Sequence, residues 1–211
     1  MSGRCGGPVK TGKKPSADEV FRPTSRLQVD SDLEFSLLGI NDAEELFSVV
    51  ESNRVYLREW LPWLDQTNSV EDEISFISMS LDEYEKREGV TYAIRLGGRI
   101  IGTIGLNWID WGNRGCGVGY WLSESHTGQG IVTRCCTRLM EHCFDNLGLH
   151  RFVLEAAVDN HESRAVADRL GMRLEGITKD REWLYDHYVD ATLYAITAPE
   201  WHTQNQDLIN P

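Results

Sequence analysis

The chain has 211 residues, 41% of them apolar and 26% charged, which is enough for one domain with a substantial core. Lys plus Arg number 21 against 33 Asp plus Glu, and the net charge of -12 repels phosphate backbones, weighing against nucleic acid as a partner and mildly favouring cationic acceptors such as amines. No apolar run approaches the ~20 residues of a membrane span and no apolar stretch opens the chain, so a cytoplasmic address without membrane contact is expected.

Residues 1–28 read as a flexible basic tail, punctuated by Gly3, Gly6, Gly7, Pro8, Gly12, Pro15 and Pro23 and carrying Arg4, Lys10, Lys13, Lys14, Arg22 and Arg26. A domain is expected over 29–200, with 201–211 as a C-terminal tail. It opens with a strand from Leu33 to Leu38, then a helix capped by Asn41 or Asp42 that carries Leu46, Val49 and Val50 on one face. The apolar segment Val55 to Leu64, with Tyr56, Trp60 and Trp63, breaks at Pro62. An amphipathic helix follows from Val70 to Arg87, with Ile74, Ile77, Met79, Leu81 and Tyr84.

Strands are expected at Thr91–Leu96, Arg99–Leu106 and Cys116–Leu122, the first two joined at Gly97-Gly98 as a hairpin. After a glycine-rich turn come a helix to Asn146, a strand from Arg151 to Val158 and a short helix from Glu162 to Leu170. Strands at Met172–Thr178 and Ala191–Ala198 close the domain. This order predicts an α/β fold, a single domain with a twisted, largely antiparallel mixed sheet flanked by helices. Five cysteines, Cys5, Cys116, Cys135, Cys136 and Cys143, suggest no disulfide framework. Cys135, Leu139, Cys143 and Leu147 recur every fourth residue as a buried stripe, so no metal site is expected.

The strongest chemical signal is the strand Gly119-Tyr120-Trp121-Leu122 followed by Thr127-Gly128-Gln129-Gly130-Ile131-Val132-Thr133. A glycine turn that opens a helix presents free backbone N–H groups, and the positive end of the helix dipole, to an anion such as pyrophosphate. No Lys follows Gly130, which excludes a P-loop, and a dinucleotide fingerprint lacks its third glycine. Gly115, Gly117 and Gly119 leave one strand face nearly bare, either for a ligand's amides or for tight sheet packing.

These pieces resemble the GNAT acetyltransferase superfamily and, within it, the RimJ/RimL type of ribosomal-protein N-terminal acetyltransferases. The resemblance runs from Leu33 to Ala198. It rests on Gly119–Leu122 and Gly128–Ile131, together with Asn160-His161-Glu162-Ser163-Arg164-Ala165-Val166, Leu170-Gly171-Met172 and Leu174-Glu175-Gly176. In the superfamily's Gln/Arg-x-x-Gly-x-Gly/Ala motif, Thr127 and Val132 depart from the first and last positions while Gly130 keeps the central one. Many members carry a basic Glu on the preceding strand, where this chain has Gly117.

The resemblance implies acetyl-CoA as cosubstrate, bound by Gly119–Leu122, Thr127–Thr133, Asn160 and Ser163. It implies Ser163 as proton donor to the departing sulfur and Glu182 as base toward the amine. Beside Trp183, Glu182 is expected to be partly desolvated, while Glu155 is a rival base. Asn160 serves equally as a helix cap, Glu182 as a surface partner of Arg181, and Cys136 or Cys143 as a nucleophile ranks lowest. Trp60 and Trp63 are expected to border the acceptor. The function implied is transfer of acetyl to a primary amine, foremost a protein N-terminus. The alternatives are a small-molecule amine or a non-catalytic acyl-CoA sensor, and a homodimer is expected by resemblance.

Overall fold

The computed structural model describes the backbone of residues 22–209 and the side chains of residues 22–204. Most of the expected tail, residues 1–21 including Cys5, lies outside the described residues. Eight strands form one sheet: β1 (Arg26–Gln28), β2 (Leu33–Leu37), β3 (Val90–Leu96), β4 (Arg99–Asp110), β5 (Gly115–Leu122), β6 (Arg151–Ala157), β7 (Arg173–Leu184) and β8 (His187–Thr197). Their order is β1-β2-β3-β4-β5-β6-β8-β7, and every neighbouring pair is antiparallel except β5 with β6. This is the mixed, largely antiparallel sheet expected from the sequence.

Strand alternation divides the core. Tyr92, Ile94, Ile104 and Leu106 face α4 (Ile131–Glu141), meeting Cys135, Cys136, Leu139 and Met140. Ala93 and Ile100 face the other way, onto α1 (Ala43–Ser52) and α3 (Val70–Lys86) through Ala43, Leu46 and Ile77. The short α2 (Arg54–Arg58) ends before Pro62, and α5 (His161–Arg169) follows β6. All four described cysteines are free and buried. Burial pushes Cys135 up to about 12 and Cys136 and Cys143 well above the ordinary thiol range, which weighs against a cysteine nucleophile.

Helix α3 starts at a capping box, in which the Asp72 carboxylate accepts from the Ser69 amide at 3.0 Å and Ser69 Oγ accepts from the Asp72 amide at 3.3 Å. Its inward row differs from the expected one. Glu73, Ile77, Ser80 and Tyr84 are buried, whereas Ile74 and Met79 are exposed. The row Glu73–Ile77–Ser80–Tyr84 follows the 4-3-4 spacing of one helix face, and Ile74 and Met79 sit off it.

The described parts of both expected tails, residues 22–28 and 201–209, are structured. Residues 26–28 pair with β2, Leu27 is 4% exposed, and the Tyr84 and Tyr92 hydroxyls donate to the carbonyls of Pro23 and Thr24 at 3.0 and 2.8 Å. At the other end, Ala198–Ile209 forms α6, whose Trp201 packs on Phe144 with ring centroids 6.3 Å apart. Two tyrosine hydroxyls and one leucine give the N-terminal strap partners that its glycine- and proline-rich composition hides.

If residues 22–28 belong to the body, Leu27→Ala removes a buried side chain and lowers the unfolding free energy by about 2–5 kcal/mol in a urea titration. A loss below about 0.5 kcal/mol would return the segment to a solvated tail.

Candidate active site

The site begins where the sheet's only parallel pair comes apart. β5 and β6 pair only from Gly115–Val118 against Arg151–Leu154, yet β5 runs on to Leu122 and β6 to Ala157. β4 and β8 occupy the outer edges of these two strands to their ends. The facing edges of Gly119–Leu122 and Glu155–Ala157 therefore carry backbone donors and acceptors with no ladder partner. A cleft of about 1060 Å³ opens there, lined by both strand ends, by the turn before α4, by the start of α5, and by α2, α3 and Glu182 of β7.

At one end of the cleft, Gly128 and Gly130 have φ of 71° and 69°, the left-handed region that glycine enters without strain. A Cβ on either would meet nothing within 4 Å, so conformation rather than crowding demands glycine. Gly130 caps α4 without any side-chain hydrogen bond, leaving the first-turn amides to a ligand. The Thr133 hydroxyl is buried without a partner among the described residues, an orphan that a phosphate or amide on the cleft wall would satisfy. These features fit a pyrophosphate-bearing arm that continues between the strand edges.

Of the expected cofactor residues, Gly119–Leu122, Thr127, Gly128, Ile131, Val132, Gly130, Thr133, Asn160 and Ser163 all line the cleft. Gln129 does not: its side-chain amide donates to the Ser125 carbonyl at 3.1 Å and braces the turn. Thr127 Oγ1 likewise donates to the Glu124 carbonyl at 2.9 Å, so the motif's departing first residue supports the loop. Asn160 caps α5, its Oδ1 accepting from the Ser163 amide at 2.9 Å. Ser163 Oγ lies 2.8 Å from the Tyr120 hydroxyl. Burial raises the Tyr120 phenol above its ordinary range, so the pair stays protonated at neutral pH.

The carboxylates separate clearly. Glu155 is gripped by both prongs of Arg181 at 2.9 and 2.7 Å. Arg181 is thus the partner of Glu155 rather than of Glu182. Glu182 has no ion pair among the described residues, and partial desolvation raises its carboxyl above the ordinary value, opposed by Arg181 and assisted by Glu155. Trp183 does not share the cleft with Glu182. It stands on the opposite strand face, half exposed, edge-on to Tyr188 at 4.9 Å.

Trp60 and Trp63 line the cleft, and Trp63 leans on Trp121 with centroids 6.4 Å apart. The segment that carries them is pinned by the β7–β8 turn. Tyr185 donates to the Leu61 carbonyl at 2.5 Å while Arg58 stacks 3.8 Å over the Tyr185 ring and binds Asp65 with two bonds of 2.8 Å. Two cleft residues escaped the sequence reading. The Trp108 indole covers Gly117 and the Asn107 amide covers Gly119, so close that a Cβ would lie 2.2 Å and 2.5 Å from them. A bulge between Leu106 and Trp108 turns both side chains over β5. The alternating glycines therefore serve sheet packing at Gly117 and Gly119, with Asn107 and Trp108 forming the cleft wall in place of side chains on β5.

Comparison with known proteins agrees with this geometry. The family model of the acetyltransferase (GNAT) domain matches residues 32–173. The ribosomal-protein-serine acetyltransferase of Escherichia coli (strain K12) is 33% identical over 172 residues, covering 82% of this chain and 96% of that protein. RimL, a ribosomal L7/L12 alpha-N-protein acetyltransferase solved in complex with coenzyme A, has a TM-score of 0.79 at 30% identity, over 82% of this chain and 97% of that one. The microcin C7 self-immunity acetyltransferase MccE, solved with acetyl-CoA and AMP, has a TM-score of 0.78 at 29% identity, over 80% and 94%.

Gly117→Ala forces the Trp108 indole off β5, so tryptophan emission shifts and the melting temperature falls. In a Trp108→Ala background the same substitution is nearly neutral. Equal losses in both backgrounds would show that Gly117 answers to something other than the indole.

Proposed function

The chain belongs to the GNAT acetyltransferase family and is an acetyl-CoA-dependent N-acetyltransferase, and from that premise we propose that its acceptor is the N-terminal amine of a protein. The observation that carries this reading is the likeness, over nearly the whole domain, to ribosomal-protein acetyltransferases. A small-molecule amine is the second reading, favoured by the equally close likeness to MccE. Glu182, on the cleft wall and without an ion pair among the described residues, argues for turnover over a sensor. A cytoplasmic address and a homodimer go with the same reading; the exposed face of β7, with Leu174 and Ile177, offers a surface for the latter.

When bound, acetyl-CoA supplies an acetyl group activated as a thioester. We assign the amides of Gly128–Thr133 to its pyrophosphate, assisted by the orphan Thr133 hydroxyl. The free edges of Gly119–Leu122 and Glu155–Ala157 hold its amide-bearing arm and turn backbone N–H groups to the carbonyl oxygen. The Tyr120–Ser163 hydroxyl pair gives a proton to the leaving sulfur. Glu182 removes the proton from the incoming ammonium, and its raised pKa brings a carboxylate nearer to that task. Trp60 and Trp63 hold the acceptor's first residue.

Initial rates on a panel of peptides and small amines, across pH, test these assignments together. Peptides outrun small amines if the acceptor is a protein N-terminus. Glu182→Gln loses about 10²–10⁴-fold at neutral pH and regains part of it as rising pH frees the amine. Ser163→Ala slows turnover at unchanged affinity for coenzyme A. Wild-type rates in Glu182→Gln throughout the pH range would remove Glu182 from the chemistry.

A further inference from the structure

Five carboxylates line the cleft, and four have an evident occupation. Asp72 caps α3, Glu155 holds Arg181, Glu162 accepts from the Tyr56 hydroxyl at 3.4 Å, and Glu182 is the base assigned above. Glu73 is the fifth. It is 3% exposed, the one buried carboxylate among the described residues, and it makes no hydrogen bond or ion pair with them. Its Oε1 is sealed from solvent without a partner, which leaves Oε2 as the oxygen open to a ligand in the cleft.

A carboxylate in that position is unfavourable for the fold. Burial, with a smaller push from Asp72, raises its carboxyl to about 7. The rest of its helix row, Ile77, Ser80 and Tyr84, packs inward and supplies no cation. The basic side chains on the cleft wall are His126 and Arg169, which lie beside α4 and at the end of α5, where the cofactor is assigned. Glu73 lies on α3, across the sheet from α4. A buried, unpaired acceptor of hydrogen bonds on a ligand cleft is a place made complete by the ligand.

We propose that Glu73 is an acceptor subsite that takes a second cationic nitrogen of the substrate, distinct from the amine that is acetylated. The substrate class is thus an amine carrying another ammonium, either a peptide with a lysine near its N-terminus or a small diamine. This rests on the N-acetyltransferase reading and deepens it, since that reading says nothing of what else the acceptor carries.

The test uses the full chain and Glu73→Gln at pH 8, with two matched pairs of acceptors. One pair is a set of peptides with Lys or norleucine at positions two to four. The other is cadaverine against pentylamine. Wild type is expected to favour the dicationic member by on the order of 10-fold or more in kcat/KM, and Glu73→Gln to bring that ratio close to 1 while sparing the monocationic member. Thermal shifts of the coenzyme A complex with the same compounds are expected to show the same preference, so the result does not depend on turnover.

The variant's own stability separates recognition from support. A carboxyl whose pKa rises on folding gives stability that is full below about 4.5 and lost as pH climbs through about 7. At pH 8 Glu73→Gln should therefore melt above wild type, whereas a structural Glu73 would make it melt below and lose both members of each pair equally. A wild-type ratio near 1, or a ratio that survives in Glu73→Gln, overturns the proposal. Turnover of the diamine alone, with no peptide accepted, would defeat the protein-acceptor reading and leave the Glu73 comparison decisive on the diamine pair.

Discussion

The structure depends on one interrupted interaction, the parallel ladder between β5 and β6. Four residue pairs, from Gly115–Arg151 to Val118–Leu154, hold the two halves of the sheet together. Beyond them both strands continue with inner edges that have no ladder partner, only the Ala157 carbonyl turning back to accept from the Asn160 amide at 2.9 Å. The cleft is the consequence of that parting, and a ligand arm rich in amides can act as the missing strand. The turn at Gly128–Gly130 and the start of α4 sit at the mouth of the gap and add the anion site.

Side chains from several elements wall the gap. Trp108 and Asn107 bend over β5 at the bulge, filling the space that side chains at Gly117 and Gly119 would need. The aromatic segment at 60–63 forms a cover, latched by Tyr185 and Arg58 from one side and by Tyr56 to Glu162 from the other. The Asn53 side chain also accepts from the Glu124 amide at 2.9 Å, tying α1 to the loop that leads into the anion turn. Partial burial raises Glu182, Tyr120 and Glu73, each in its own part of the cleft wall.

Local pattern made much of this legible. The glycine turn, the cap at Asn160 and the strands of the central sheet could be read because each follows from short-range geometry. Longer-range facts could not. The segment 22–28 looked like a tail because its partners, Tyr84 and Tyr92, lie some 60 residues away. Trp183 seemed to shelter Glu182 until strand alternation put it on the other face, and Arg181 proved to hold Glu155. Gln129 stood within the motif but turned to Ser125. Glu73 did have a signal: the inward row Ile77, Ser80 and Tyr84, extended back by four residues, lands on it.

The central claim is that the gap between β5 and β6 is the slot for the acetyl donor, with its strand edges as hydrogen-bond partners. Amide hydrogen exchange with and without saturating coenzyme A tests it directly, since an amide gains protection when a ligand takes its hydrogen bond. Protection is predicted at Gly119–Leu122, Glu155–Ala157 and Gly128–Thr133, with little change on β1–β3. Binding that protects the anion turn but leaves both strand edges exchanging as before would contradict the account.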